Sequence, residues 1–168
     1  MADKIDAITL LKDDHDKVEK LFKDYEKASG EKRKEDLARQ ICRELTVHTM
    51  LEEEIFYPAC EGKVEEDLLK EALVEHDAAK LVIAEIISGS PGDEFYDSKV
   101  KVLQEEIEHH VEEEEESGTG LFAQARKAGI DMNELGDRLA KRKKELMEET
   151  KSGKLPEPEL TTMDQPGG

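Results

Sequence analysis

The chain holds 168 residues, 43 of them acidic and 25 basic, for a net charge of −18; 40% are charged and 36% hydrophobic. That length favours one domain with an appended tail, and the composition suits long helices with heavily charged outer faces. The surplus of negative charge disfavours nucleic acid and anionic membranes as partners, since both need cation. Few aromatics (4%, no Trp) argue against a base-stacking platform. The sequence contains no long uncharged apolar run, and Asp3, Lys4 and Asp6 leave no secretory signal in the first ten residues. A cytoplasmic, non-membrane protein is expected. Cys42 and Cys60 lack metal-ribbon spacing and are read as simple thiols.

Four long amphipathic patterns follow one another. The first covers residues 3–28, with Ile8, Leu11, Val18, Phe22 and Tyr25 on one face and Ser29-Gly30 ending it. The second covers residues 32–57, with Leu37, Ile41, Leu45 and Ile55 inward and Pro58 as its stop. The third covers residues 65–87 and ends at a Ser-Gly-Ser-Pro-Gly loop. The fourth starts at a capping Asp93, carries Val100, Leu103 and Ile107, and runs through Glu112–Glu116 into Ser117–Gly120. A short segment at 121–128 precedes a final helix capped by Asp131 with Glu134, basic from Arg138 to Lys144. Residues 151–168, with Pro156, Pro158 and Pro166, read as an extended, flexible tail. Short links between long helices predict an all-α, up-down-up-down four-helix bundle over residues 1–128, with a fifth helix at 129–150.

Four of the five histidines interrupt the apolar stripes. His15 falls between Leu11 and Val18, His48 after Leu45, His76 after Leu73, and His110 after Ile107, so helical phase points each inward. His109 lies one step off that face. Glu52 and Glu114 stand four residues after His48 and His110, so each His–Glu pair shares a face. An ionised carboxylate in a core needs compensation, and metal cations at the centre supply it. Mixed nitrogen and oxygen donors suit iron, manganese or zinc. The pattern is also repeated: His15 to His48 spans 33 residues and His76 to His110 spans 34. Asp14-His15-Asp16 opens one half and Glu75-His76-Asp77 the other, and each half closes on apolar-x2-His-x3-Glu. Two such hairpins face to face predict a two-metal centre bridged by Glu52 and Glu114. Asp16 and Asp77 are read as surface charges, with orientation of an imidazole as their functional alternative.

These stretches resemble the hemerythrin HHE cation-binding family, over roughly residues 8–147. The resemblance rests on residues 10–16, His48 through Pro58, Glu75-His76-Asp77, and His109-His110-Val111 through Glu115. It implies a four-helix bundle with a non-haem di-iron centre on His15, His48, Glu52, His76, His110 and Glu114. Oxygen-carrying members have a second His four residues after the third-helix His, where this chain has Lys80. They also have an Asp five residues after the fourth-helix His, where this chain has Glu115. The expected function is therefore binding or reaction of dioxygen, nitric oxide or peroxide at two iron ions, with peroxidase-, catalase- or oxidase-like turnover among its outcomes. The alternative is an iron or zinc binding or storage module without redox turnover. A scaffold acting through the basic helix and the tail is a third reading.

Overall fold

The computed structural model describes residues 6–164, so the first three residues of the first expected helix, and Pro166, lie outside it. Every regular element among the described residues is helical. Helix α1 (Ala7–Lys27) is opened by Asp6, whose carboxylate accepts the Thr9 N–H at 2.8 Å. Three residues link it to α2 (Glu31–Leu51), and the two long helices pack against each other, which a link so short permits only by reversing direction. Helix α4 (Glu66–Ser88) packs on α2 and on α5 (Tyr96–Glu115), and α5 also touches α1.

The second helix does not stop at Pro58. It passes through a π-helical turn, Glu52–Phe56, and continues as the short α3, Tyr57–Cys60. In that turn the Tyr57 N–H reaches back five residues to the Glu52 carbonyl. A proline ring clashes with regular α-winding in the turn before it, so the wider turn accommodates Pro58. Asp93 does not cap α5 either. Its carboxylate accepts the Ser90 N–H at 2.8 Å and closes the preceding turn, and the helix starts at Tyr96.

Beyond α5 the chain turns sharply at Gly120, where an added Cβ would lie 2.7 Å from backbone atoms of Glu116, so only glycine fits. That turn folds α6 (Leu121–Lys127) back under the bundle. Asp131 then caps α7 (Met132–Glu149) by accepting the N–H groups of Asn133 and Glu134. Leu135, Leu139 and Leu146 of α7 share one apolar cluster with Ile8, Leu11, Leu51, Phe56 and Phe122. The boundary expected at residue 128 therefore falls inside a shared core. A second cluster, with Val18, Phe22, Ile41, Leu45, Ile83 and Leu103, fills the other end of the bundle.

The tail makes its own contacts with the helices. Residues 151–164 carry no helix, yet their far part is tied down. Asp77, fully buried, accepts the backbone N–H groups of Thr161, Thr162 and Met163 at 2.9, 2.6 and 3.0 Å. Among the described residues no helix is long and apolar enough to cross a membrane.

Candidate metal centre

A layer of buried polar side chains separates the two apolar clusters. His15, His48, His76 and His110 all lie in it, one from each long helix, together with Glu52 and Glu114. The structure thus brings together all six residues selected by helical phase. The Nε2 atoms of His15 and His48 are 3.2 Å apart, as are those of His76 and His110. Glu52 Oε1 lies 3.1 Å from His48 Nε2, 3.2 Å from His76 Nε2 and 3.7 Å from His110 Nε2. Glu114 Oε1 lies 3.2 Å from His15 Nε2 and 3.4 Å from His110 Nε2. Each carboxylate therefore reaches histidines of both halves of the sequence. Two groups of three have donor atoms close enough to hold a metal ion: His15, His48 and Glu114, and Glu52, His76 and His110.

The opposite edge of every imidazole meets another carboxylate. His15 Nδ1 is 2.6 Å from Glu115, His48 Nδ1 2.9 Å from Asp14, His76 Nδ1 2.8 Å from Glu53, and His110 Nδ1 2.8 Å from Glu75. An Nδ1–H donated outward leaves the Nε2 lone pair facing the centre, the tautomer a metal ligand needs. Lone pairs of two acceptors 3.2 Å apart repel unless a cation or proton lies between them. Glu52 Oε2 and Glu114 Oε1 are moreover buried without a hydrogen bond. Orphaned oxygens and opposed nitrogens together fit a cation-binding centre.

The sequence reading did not select those outer carboxylates. Asp14, not Asp16, serves His48. Asp77 is buried but holds the tail, and Glu115, next to Glu114 in the chain, turns to His15. Lys80 bonds Glu53 at 3.0 Å and the Glu159 carbonyl at 2.8 Å. Tyr57 is a further group at the centre. Its hydroxyl donates to Glu114 Oε2 at 2.8 Å and lies 3.3 Å from Nε2 of both His76 and His110. Burial and the adjacent Glu114 and Glu52 hold this phenol well above its ordinary pKa, so it keeps its proton. Phe122 stacks on the His15 ring and closes the floor. His109 lies outside the centre, exposed and paired with Glu113 at 2.9 Å.

The pattern for the hemerythrin HHE cation-binding domain matches residues 6–117, two thirds of the sequence. The chain belongs to that family. A curated "DNA nickase" from Nostoc sp. (strain PCC 7120 / SAG 25.82 / UTEX 2576) is 28% identical over 117 residues, 70% of this chain. The aligned region is 32% of that relative, so the chain spans about a third of its length. In fold the chain is similar to a hemerythrin HHE cation-binding-domain-containing protein from Mycobacterium kansasii, with a TM-score of 0.72 at 19% identity. That likeness covers 88% of this chain and 91% of the other. As a hemerythrin HHE domain the protein is a cation binder, and its His and Glu groups are where a metal fits.

Without a cation, His15, His48 and His110 bind protons more tightly than a free imidazole. Burial opposes the charge on His48, but Glu52 and Asp14 outweigh it and push the imidazole up to about 10. His15 and His110 are raised likewise, against burial, by Glu114 with Glu115 and by Glu114, Glu52 and Glu75. Burial also opposes the charge on Asp14, Glu53 and Glu75, but the histidines lower all three carboxyls, and His15 lowers Glu115. The histidine contribution to metal-free stability is complete below about pH 6.5 and is lost as pH rises through the folded values. The carboxylate contribution is present above about pH 4 and lost on acidification. Metal-free protein is thus expected to melt highest near pH 5–6.5 and lower at pH 9. Zinc-loaded protein is expected to gain stability from pH 6 to 8, because metal displaces those protons. Melting curves with chelator or added zinc check both trends.

Proposed function

We propose that this chain is a two-metal protein, with iron in both positions, that binds or reacts with dioxygen or a related small oxidant such as nitric oxide or peroxide. The observation that carries the reading is the six-residue donor set, whose four histidines border a small, largely apolar pocket. His15, His48 and Glu114 would hold one ion and Glu52, His76 and His110 the other, with the two glutamates reaching across. An iron pair, when bound, supplies the electrons for binding or reducing a small oxidant. The histidines open onto a cavity of about 20 Å³, whose other walls include Val18, Leu45, Ala79, Ile83 and Ile107. That is room for a molecule the size of water, beside a wall made mostly of aliphatic side chains. Tyr57, still protonated, holds a proton at Glu114 Oε2. The outer carboxylates fix the Nδ1 protons. We further read α1, α2, α4 and α5 as an up-down-up-down bundle with α7 as its fifth helix, and the protein as cytoplasmic.

The relative's printed activity, DNA nicking, belongs to a protein about twice as long as this chain. A net charge of −18 gives this chain little hold on a phosphate backbone. A second reading is iron or zinc binding without turnover. It is favoured by the Tyr57 hydroxyl, which fills space beside His76 and His110. Elemental analysis of protein purified without added metal separates the two. About two irons per chain, with near-ultraviolet absorption that anaerobic reduction bleaches, is the expected result. Two zinc ions and no colour would favour the second reading. No metal after anaerobic ferrous loading and, separately, zinc loading would overturn both.

A further inference from the structure

The segment beyond residue 117, where the family match ends, reaches back to two of the four imidazoles through their outer carboxylates. On α7, Lys143 Nζ lies 2.5 Å from Asp14 Oδ1, and the other oxygen of Asp14 holds His48 Nδ1. On the tail, the Thr161 hydroxyl donates to Glu53 Oε1 at 2.7 Å, and the other oxygen of Glu53 holds His76 Nδ1. His48 belongs to one group of three ligands and His76 to the other. One arm of the extension therefore serves each group.

We propose that Lys143 and Thr161 are positioning residues, each acting on one metal position and not on the other. The proposal rests on the two-metal reading above. A carboxylate turns about its last bond, so one oxygen stays aimed at an imidazole only if the other is held. Lys143 holds Asp14, whose side chain is 5% exposed, and Thr161 with Lys80 holds Glu53. An ammonium on Asp14 also draws charge from the oxygen facing His48, keeping the imidazole proton on Nδ1.

Neither group is needed to dock its own segment. Helix α7 is anchored by its leucines, by Arg142 on both oxygens of Glu54, and by Arg43 on the Met147 carbonyl. The tail is anchored by Asp77 and by Lys80 on Glu159. Lys143→Met and Thr161→Val therefore remove one polar contact each and leave the anchors in place.

The test is titration of full-length metal-free protein with Co2+, followed by visible absorption and calorimetry. The parent protein is expected to bind two equivalents. Lys143→Met is expected to weaken one equivalent about 10-fold, toward the lower end for groups behind a ligand, and to leave the other unchanged. Thr161→Val is expected to weaken one equivalent, the double variant both, and Lys143→Arg to restore the parent curve. Equal weakening of both equivalents by either single variant, no weakening, two losses on one equivalent in the double variant, or no rescue by arginine would overturn the proposal. A parent protein that takes fewer than two equivalents would instead overturn the two-metal reading.

Discussion

Replacing Glu52 by Ala is expected to empty the centre, with at least about 100-fold loss of metal affinity, more than loss of a group behind a ligand costs. Glu52 is fully buried, and a single oxygen lies within 3.7 Å of three imidazole nitrogens, so no other residue replaces it. Its carboxyl is held well below the usual range: burial opposes the charge, but His48 and the other partners outweigh it. Loss of that charge would strip the buried, protonated His48 and His110 of a carboxylate facing their Nε2 edges, which costs stability as well as ligation. Glu52→Gln, nearly the same shape, keeps the comparison usable if the alanine variant does not fold. His110→Ala is expected to behave like Glu52→Ala, and His109→Ala like the parent, because only His110 faces the donors. Metal content after dialysis against a dilute chelator reads all four variants. Full metal in both Glu52 variants, or equal loss from the two histidine variants, would sink the ligand assignment.

Truncation after Ala128 is expected to give insoluble protein. It strips Leu135, Leu139 and Leu146 from a cluster whose remaining members, Ile8, Leu11, Leu51 and Phe56, are otherwise almost fully covered. The graded version is Leu139→Ala, at a side chain with no exposed surface. Deleting a fully buried leucine costs about 3 kcal/mol, which in a chain of this size lowers the melting temperature by roughly 6–12 °C. Thermal melts of the full-length variant give the number. A soluble, metal-binding truncation would show that α7 is an accessory, contrary to the shared core.

The six central residues were legible because helices obey one period. A histidine at the spacing of Leu11 and Val18 must face where they face, and the same holds for His48, His76 and His110. The outer carboxylates escaped because each lies one position out of that phase. Every one is the chain neighbour of a ligand on its own helix and serves a histidine on another. Asp14 precedes His15 and bonds His48; Glu75 precedes His76 and bonds His110; Glu53 follows Glu52 and bonds His76; Glu115 follows Glu114 and bonds His15. The repeated acidic-His-Asp motif held part of this signal, but its working member is the residue before the histidine. The tail escaped for another reason. Composition registers little to bury in residues 151–164, but not that a fully buried Asp77 awaits three backbone N–H groups. The basic run on α7 shows as charge in the sequence but not by its partners: Arg142 pairs with the exposed Glu54 and Lys143 with the buried Asp14.

The π-helical turn at Glu52–Phe56 makes chain length itself a functional variable. Regular winding advances about 100° per residue, so side chains five apart point in different directions and those four apart nearly coincide. The extra residue changes the frame in which the chain is read. Before it, His48 and Glu52 share the centre at a spacing of four; after it, Glu52 and Tyr57 share the centre at a spacing of five. A related chain one residue shorter here could keep every ligand and still present a different side chain to Glu114. Comparisons within this family therefore have to count residues between Glu52 and Pro58 before they compare identities.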